Sequence, residues 1–180
     1  MGKVSGSVTA TLGMIVTGFV ACVAIAASAS IGSAILGPDA AACGPGAAGP
    51  AALVRVHGFK DATGGLRLQL YTDAPAEFLA EGAKVRRVDL PVASTEAMTV
   101  CVSLPHPGHY AMAVLHDRVG DNRLNIWHDG VGFSNNPKIG FGKPELATVL
   151  FGAPGGVVPL DIVLSYRVGF GLKPLPDRPS

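Results

Sequence analysis

From Val54 onward, short runs of alternating apolar and polar positions recur, separated by turn-forming residues. Val54 and Val56 alternate with Arg55 and His57; Leu66, Leu68 and Leu70 alternate with Arg67, Gln69 and Tyr71. Val88, Leu90 and Val92 follow the same rule, as do Met98, Val100, Val102 and Leu104, with Thr99, Cys101 and Ser103 on the other face. A period of two sends successive side chains to opposite faces, so each run predicts a half-buried strand. Tyr110 to His116 is apolar on both sides, the pattern of a central strand covered on each face. Strands are predicted again at 146–151 and at 157–166, where Leu160, Ile162, Leu164 and Tyr166 share a face. Residues 74–82 break the alternation, and their helix formers between Pro75 and Gly82 predict one or two helical turns. About seven strands without a long amphipathic helix predict an all-β fold, a two-sheet sandwich.

The first part of the chain follows another rule. No charged residue occurs between Val4 and Pro38, and the apolar run from Val8 to Ala27 follows a start that carries Lys3. That order is expected of an export leader, with Ala27-Ser28-Ala29 or Ala40-Ala41-Ala42 as the cleavage pattern. About 20 apolar residues can also span a bilayer, so an uncleaved helical anchor in the inner membrane is the alternative, and lipid attachment at Cys22 a further one. The expected organisation is a leader or anchor helix over 1–29, an Ala/Gly/Pro-rich tether over 30–52, a sandwich domain over 53–168 and a proline-rich tail over 169–180. The domain is expected to be periplasmic or secreted, touching a membrane only through an uncleaved leader. Once the leader with Cys22 is gone, Cys43 and Cys101 remain, and an even pair in an oxidising space predicts a disulfide. Two separate buried thiols are the alternative.

Charge narrows the partners. Lys and Arg total 14 against 13 Asp and Glu, a net charge of +1, which offers no basic field for nucleic acid.

Two segments carry a family resemblance: LPHPGHYAMAVLHD, from Leu104 to Asp117, and GFSNN, from Gly132 to Asn136. In that order they resemble the exported bacterial domain of unknown function DUF2141, with weaker likeness back to Val54. The resemblance implies an immunoglobulin- or transthyretin-like sandwich and an exported location, and it implies no activity. Members of that family commonly carry an oxygen-rich loop after the His-Asp pair. Here the aligned positions are Asp117, Val119, Asp121, Asn122 and Asn125, so valine stands at one ligand position.

Calcium takes six to eight oxygens from carboxylates, amides and carbonyls. Asp117, Asp121 and Asn125 recur every four residues and make a candidate metal set, with Asp129 just beyond. A polar turn with Asn122 in the left-handed conformation is the plainer reading, and no cofactor is expected. His106, His109 and His116 cannot converge on zinc, because a strand separates the last from the other two. No nucleophile elbow, phosphate loop or Cys-His pair is present, so the domain is not expected to be an enzyme. The polar, Gly- and Asn-rich stretch 117–144 is longer than most loops, and Trp127, Phe133, Ser134, Asn135 and Asn136 within it form a candidate contact surface. The expectation is therefore a non-enzymatic exported domain that binds a ligand or an envelope protein through this region. A calcium-stabilised structural module and an envelope hydrolase of unrecognised type are the alternatives.

Overall fold

A computed structural model of the chain describes residues 1–3, 6, 34–140 and 142–176. The chain divides into two compact units, Met1–Ile31 and Gly32–Ser180, and the second carries the fold described below. The predicted leader, its first cleavage pattern and Cys22 lie outside the described residues, as do the last four residues of the predicted tail.

The elements run in the order β1 (Ile35–Leu36), a 3-10 turn (Ala40–Cys43), β2 (Ala51–His57), β3 (Gly65–Thr72), β4 (Arg86–Pro91), β5 (Met98–Ser103), β6 (Gly108–Asp117) and β7 (Gly130–Phe133), then α1 (Leu146–Val149), β8 (Leu150–Ala153), β9 (Val157–Val163), β10 (Ser165–Val168) and β11 (Gly171–Pro174). They form two sheets with almost no helix. The smaller has the order β1-β5-β2-β9, and the larger β11-β10-β7-β6-β3-β4, with β8 also on β6. The alternating residues do what their spacing requires. Val54, Val56, Val100, Val102 and Ile162 of the smaller sheet meet Leu66, Leu68, Leu70, Met112 and Val114 of the larger, each no more than 1% exposed.

The predicted central strand is β6. One edge pairs with β3 from Tyr110 to Asp117. The other edge carries two short strands in tandem, β7 opposite residues 113–116 and β8 opposite residues 108–111. At the joint, Ser134 N–H donates to Met112 O and Met112 N–H donates to Ser134 Oγ, both at 3.0 Å. The hydroxyl in turn donates to Val149 O.

Several expectations differ from the structure, beginning with the strand count: eleven strands stand among the described residues where about seven are expected. The stretch 117–144 is not one loop, since it contains β7. Its alternation is hidden because Gly130 and Gly132 occupy the inward positions: a Cβ on Gly130 would lie 2.5 Å from the Tyr166 ring, and one on Gly132 2.7 Å from Ile162 Cγ2. Residues 74–82 form turns closed by Glu77 N–H to Ala74 O and Ala80 N–H to Glu77 O, and Leu79 has φ +58°, which a right-handed helix does not admit. The strand predicted at 146–151 opens as the single turn α1 before β8. The strand predicted at 157–166 changes sheet: β9 belongs to the smaller and β10 to the larger, with fully buried Leu164 between them.

The segments read as tether and tail are also structured where described. Lys173 and Pro174 lie in β11, paired with Tyr166 and Ser165. β1 pairs in parallel with β5, and Cys43 and Cys101 form the predicted disulfide, with α-carbons 5.9 Å apart. Asp39 accepts Ser103 N–H at 3.0 Å and Arg86 Nε–H at 2.9 Å. Burial pushes its carboxyl up, but Arg86 and the Ser103 amide outweigh that and hold it below the usual carboxylate value. The segment thus packs on the outer face of β5, where Cys101 points away from Val100 and Val102.

The crosslink spans 58 residues of sequence. Constraining a loop of that length in the unfolded chain stabilises by about 4 kcal/mol in the loop-entropy account. Urea denaturation of the Cys43→Ser, Cys101→Ser double variant is expected to show that loss as a lower midpoint at an otherwise similar transition. An unchanged midpoint would refute the assignment of stability to this bond.

Candidate functional site

The alternation that fills the core also builds the opposite face of the larger sheet. Cross-strand register sets two rows on it. Asp89, Arg67, Leu115, Val131 and Ser165 form one; Arg87, Gln69, Ala113 and Phe133 form the next. Phe78 and Val149 pack over part of this face against Tyr71, Ala111 and Phe133, with the Phe78 ring edge-on to Tyr71 at 5.7 Å. Covering is incomplete. A groove of about 560 Å³ has Gln69, Tyr71, Ala113 and Leu115 among the residues of its floor and lies between residues 79–84 and 122–124. A second depression of about 460 Å³ is lined by Pro137, Ile139, Val163, Leu172 and Pro174 among others. Phe133 lines both.

The loop from Asp117 to Asp129 closes one end of this face, and carboxylates fold it. Asp117 accepts the N–H groups of Gly120 and Asn122, each at 2.8 Å. Asp129 accepts those of Arg118 at 3.0 Å and Asn125 at 2.8 Å. Both aspartates are buried. Asn122 has φ +65°, the left-handed conformation expected of it, and its carbonyl accepts Arg67 Nη1–H at 3.0 Å. Arg118 donates to Asp61, whose carboxyl it holds well below the usual range. Of the predicted metal set, Asp117 and Asp121 come together with Asp129, one carboxylate oxygen of each within 4.8 Å of the others. The Asn125 amide oxygen accepts Trp127 N–H at 3.1 Å.

The candidate contact residues divide by role. Ser134, Asn135 and Asn136 spend their side chains on the backbone. Ser134 completes the β6 ladder, and Asn135 Nδ2–H donates to Leu150 O at 2.7 Å. Asn136 donates to Asp161 O and accepts Val163 N–H, both at 2.8 Å, which fastens it to β9. Phe133 is a floor residue of the outer face. Trp127 is 65% exposed, with the Arg167 guanidinium 3.4 Å from its ring centroid, a cation–π stack.

A family model described as "Uncharacterized protein conserved in bacteria (DUF2141)" matches residues 54–158, more than half of the chain. The chain belongs to the DUF2141 family. No curated protein matches it, and no solved structure does. The DUF2141 span runs from within β2 into β9, so it contains the groove floor, the Asp117–Asp129 loop and GFSNN. Cys43 and the β10–β11 hairpin with Arg167 lie outside it.

Beneath the loop, His116 is fully buried at the end of β6. Thr63 O can only accept, so His116 Nε2 carries the proton and donates to it at 2.8 Å; Nδ1 then accepts the Tyr166 hydroxyl at 2.6 Å. Tyr166 Oη accepts Lys60 N–H at 3.1 Å. Burial lowers the His116 pKa, and burial pushes the Tyr166 hydroxyl up to about 12. His116 therefore resists protonation in the fold. This DUF2141 domain holds it as a neutral strut under the loop.

Sequence reasoning missed Gln69, Leu79, Lys84 and Ala113 as parts of the groove. The available signal was the polar half of the β3 alternation, because a strand with both faces accounted for must present Gln69 and Tyr71 to something.

A histidine whose folded pKa lies below its unfolded value of 6.5 gives stability that is present above 6.5 and lost as pH falls through the folded value. Asp39, Asp61, Asp89 and Asp161 are all held below 3.8, so their contribution is lost only in stronger acid. Unfolding midpoints measured from pH 8 downward are expected to fall first below about pH 6.5, and His116→Gln is expected to flatten that step while lowering the plateau. An equally steep step in the variant would assign it elsewhere.

Proposed function

We propose that this domain is a non-enzymatic exported binding module that takes its ligand or partner on the outer face of the larger sheet, beside the 117–144 region. The observation that carries the reading is the pair of adjoining depressions, about 560 and 460 Å³, that share Phe133. Concave, mostly apolar sites of about 300 to 1,000 Å³ are where small ligands bind. Their floor stands on paired strands and their rims on turns, which suits recognition by a preformed surface. Export is supported by the apolar leader read from the sequence and by the disulfide, a bond that persists in oxidising compartments. The immunoglobulin- or transthyretin-like form of the sandwich belongs to the same reading. A non-enzymatic role is supported by His116, whose two ring nitrogens are both engaged within the fold, leaving neither free to shuttle protons.

A fragment-binding screen followed by amide chemical shifts tests the location without presuming the ligand. Shifts are expected to concentrate on Gln69, Ala113, Phe133 and Leu172. Shifts confined to the outer face of the smaller sheet, around His57 and Asp161, would overturn the reading. Protein recovered from the periplasm is expected to begin after Ala29 by intact mass, since cleavage after Ala42 would remove β1 and Asp39 from the fold; full-length protein in the membrane fraction would favour the anchor.

One observation favours the second reading, a calcium-stabilised module: the convergence of Asp117, Asp121 and Asp129. Against it, four backbone amides already compensate Asp117 and Asp129, and Val119 supplies no side-chain oxygen. A ligand that binds only the folded state raises its stability by mass action. Millimolar calcium is expected to leave the melting temperature nearly unchanged. A rise of several degrees that Asp121→Ala abolishes would replace the first reading with the second.

A further inference from the structure

The larger groove has a chemistry of its own. Its floor is flat and apolar at the centre because Ala113 stands between Gln69 and Phe133 in the cross-strand row, and a methyl group leaves room where its neighbours rise. Four cationic side chains line the groove, Arg67, Lys84, Arg87 and Arg123, against one carboxylate, Glu81. Asp89 pairs with Arg67 and Arg87 and offsets one of those charges. Lys84 and Arg123 stand on opposite walls; the Arg123 backbone N–H donates to Asp121 at 2.9 Å, but neither side chain has a hydrogen bond or ion pair among the described residues. The Gln69 amide, half-buried in the floor, is likewise without a partner among them. The Gln69 amide is open to solvent and adds a donor and an acceptor to a groove that Lys84 and Arg123 also line. On the wall above, Leu79 holds a left-handed backbone, φ +58°, that leucine rarely adopts, and such residues gather where a binding surface imposes its shape.

Resting on the binding reading above, we propose that this groove takes a single-chain aliphatic carboxylate, its chain along Ala113 and Leu115 and its head between Lys84 and Arg123. Excess positive charge selects an anion. The aliphatic surface of Leu79, Ala113, Leu115 and Leu124 selects the body attached to it. A groove set between two walls fits one molecule and not the plane of a bilayer.

Laurate, kept below the concentration at which it forms micelles, is the probe, titrated into protein expressed from the full sequence. Saturable binding is expected, with amide shifts at Gln69, Ala113 and Leu124. The Lys84→Glu, Arg123→Glu double variant removes no side-chain hydrogen bond or ion pair among the described residues, and it is expected to weaken laurate at least about tenfold, the scale of one lost charge-assisted contact. Its binding of uncharged dodecanol should not change. Ala113→Trp is expected to abolish both, with the melting temperature checking that the variant folds. Absence of saturable laurate binding, an unchanged affinity in the double variant, shifts confined to the depression lined by Leu172, or binding to anionic phospholipid vesicles alone would each overturn the proposal. If fragments still gather on the outer face while laurate does not bind, the face survives as the binding site and the carboxylate assignment fails.

Discussion

A single hydroxyl lets β6 serve as the spine of the larger sheet. β7 and β8 lie end to end along one edge of it, and between them Met112 would face a gap. Ser134 fills that gap by accepting the Met112 amide on Oγ and passing its own proton to Val149 O. All three groups are buried from water, where an unpaired donor or acceptor costs about 1 to 3 kcal/mol. Asn135 and Asn136 follow at φ +62° and +47°, a pair of left-handed residues that turns the chain out of the sheet. Asparagine tolerates that conformation better than most residues. The GFSNN motif is therefore the splice that lets two short strands act as one, and the outer face exists because the splice holds.

The same economy governs the loop end. β6 ends in His116 and Asp117, one side chain turned into the core and the other into the loop. His116 ties β6 to Thr63 and Tyr166, while Asp117 gathers the amides of Gly120 and Asn122. Gly64 lets the neighbouring chain come this close, since a Cβ there would lie 2.0 Å from Asp117 O. Adjacent residues with opposite directions thus fix the floor and the lid of one corner. Both side chains of the His116-Asp117 pair make contacts that shape this corner.

Much of the fold was legible because burial follows the period of two. β2, β3, β4, β5 and β6 all carry their inward residues as the alternation required, and the parity of Cys43 and Cys101 anticipated the bond between them. What escaped was whatever breaks the period for a reason outside the strand itself. β7 hid because Tyr166 and Ile162, far along the chain, demand glycine at its inward positions. The sheet change at Leu164 hid because its inward pattern continues unbroken from Ile162 to Tyr166. Of the candidate site, Phe133 was legible as an apolar residue in a polar stretch, whereas Trp127 lines neither depression. Gln69, Lys84 and Ala113 were not legible, because their meeting depends on cross-strand register and on a turn whose shape rests on Leu79.

The two outer faces of the sandwich end differently, and the difference bears on where binding resides. On the smaller sheet, the segment from β1 through Cys43 covers β5, held by the disulfide and by Asp39 on Ser103 and Arg86. Away from that cover, Arg55 and His57 of β2 pair with Asp161 of β9 on the same face. On the larger sheet the covers are turns around Phe78 and α1, anchored by a few apolar contacts and by Lys143 over the Phe78 ring at 5.0 Å. They leave Ala113 and Leu115 only partly roofed. The part of the smaller sheet under this cover is closed by a covalent bond, so a ligand there would have to displace the crosslinked segment. A face roofed by turns can admit a ligand into space that the fold leaves open, and Lys84 and Arg123, without side-chain partners among the described residues, stand beside that space, which supports the proposed binding there.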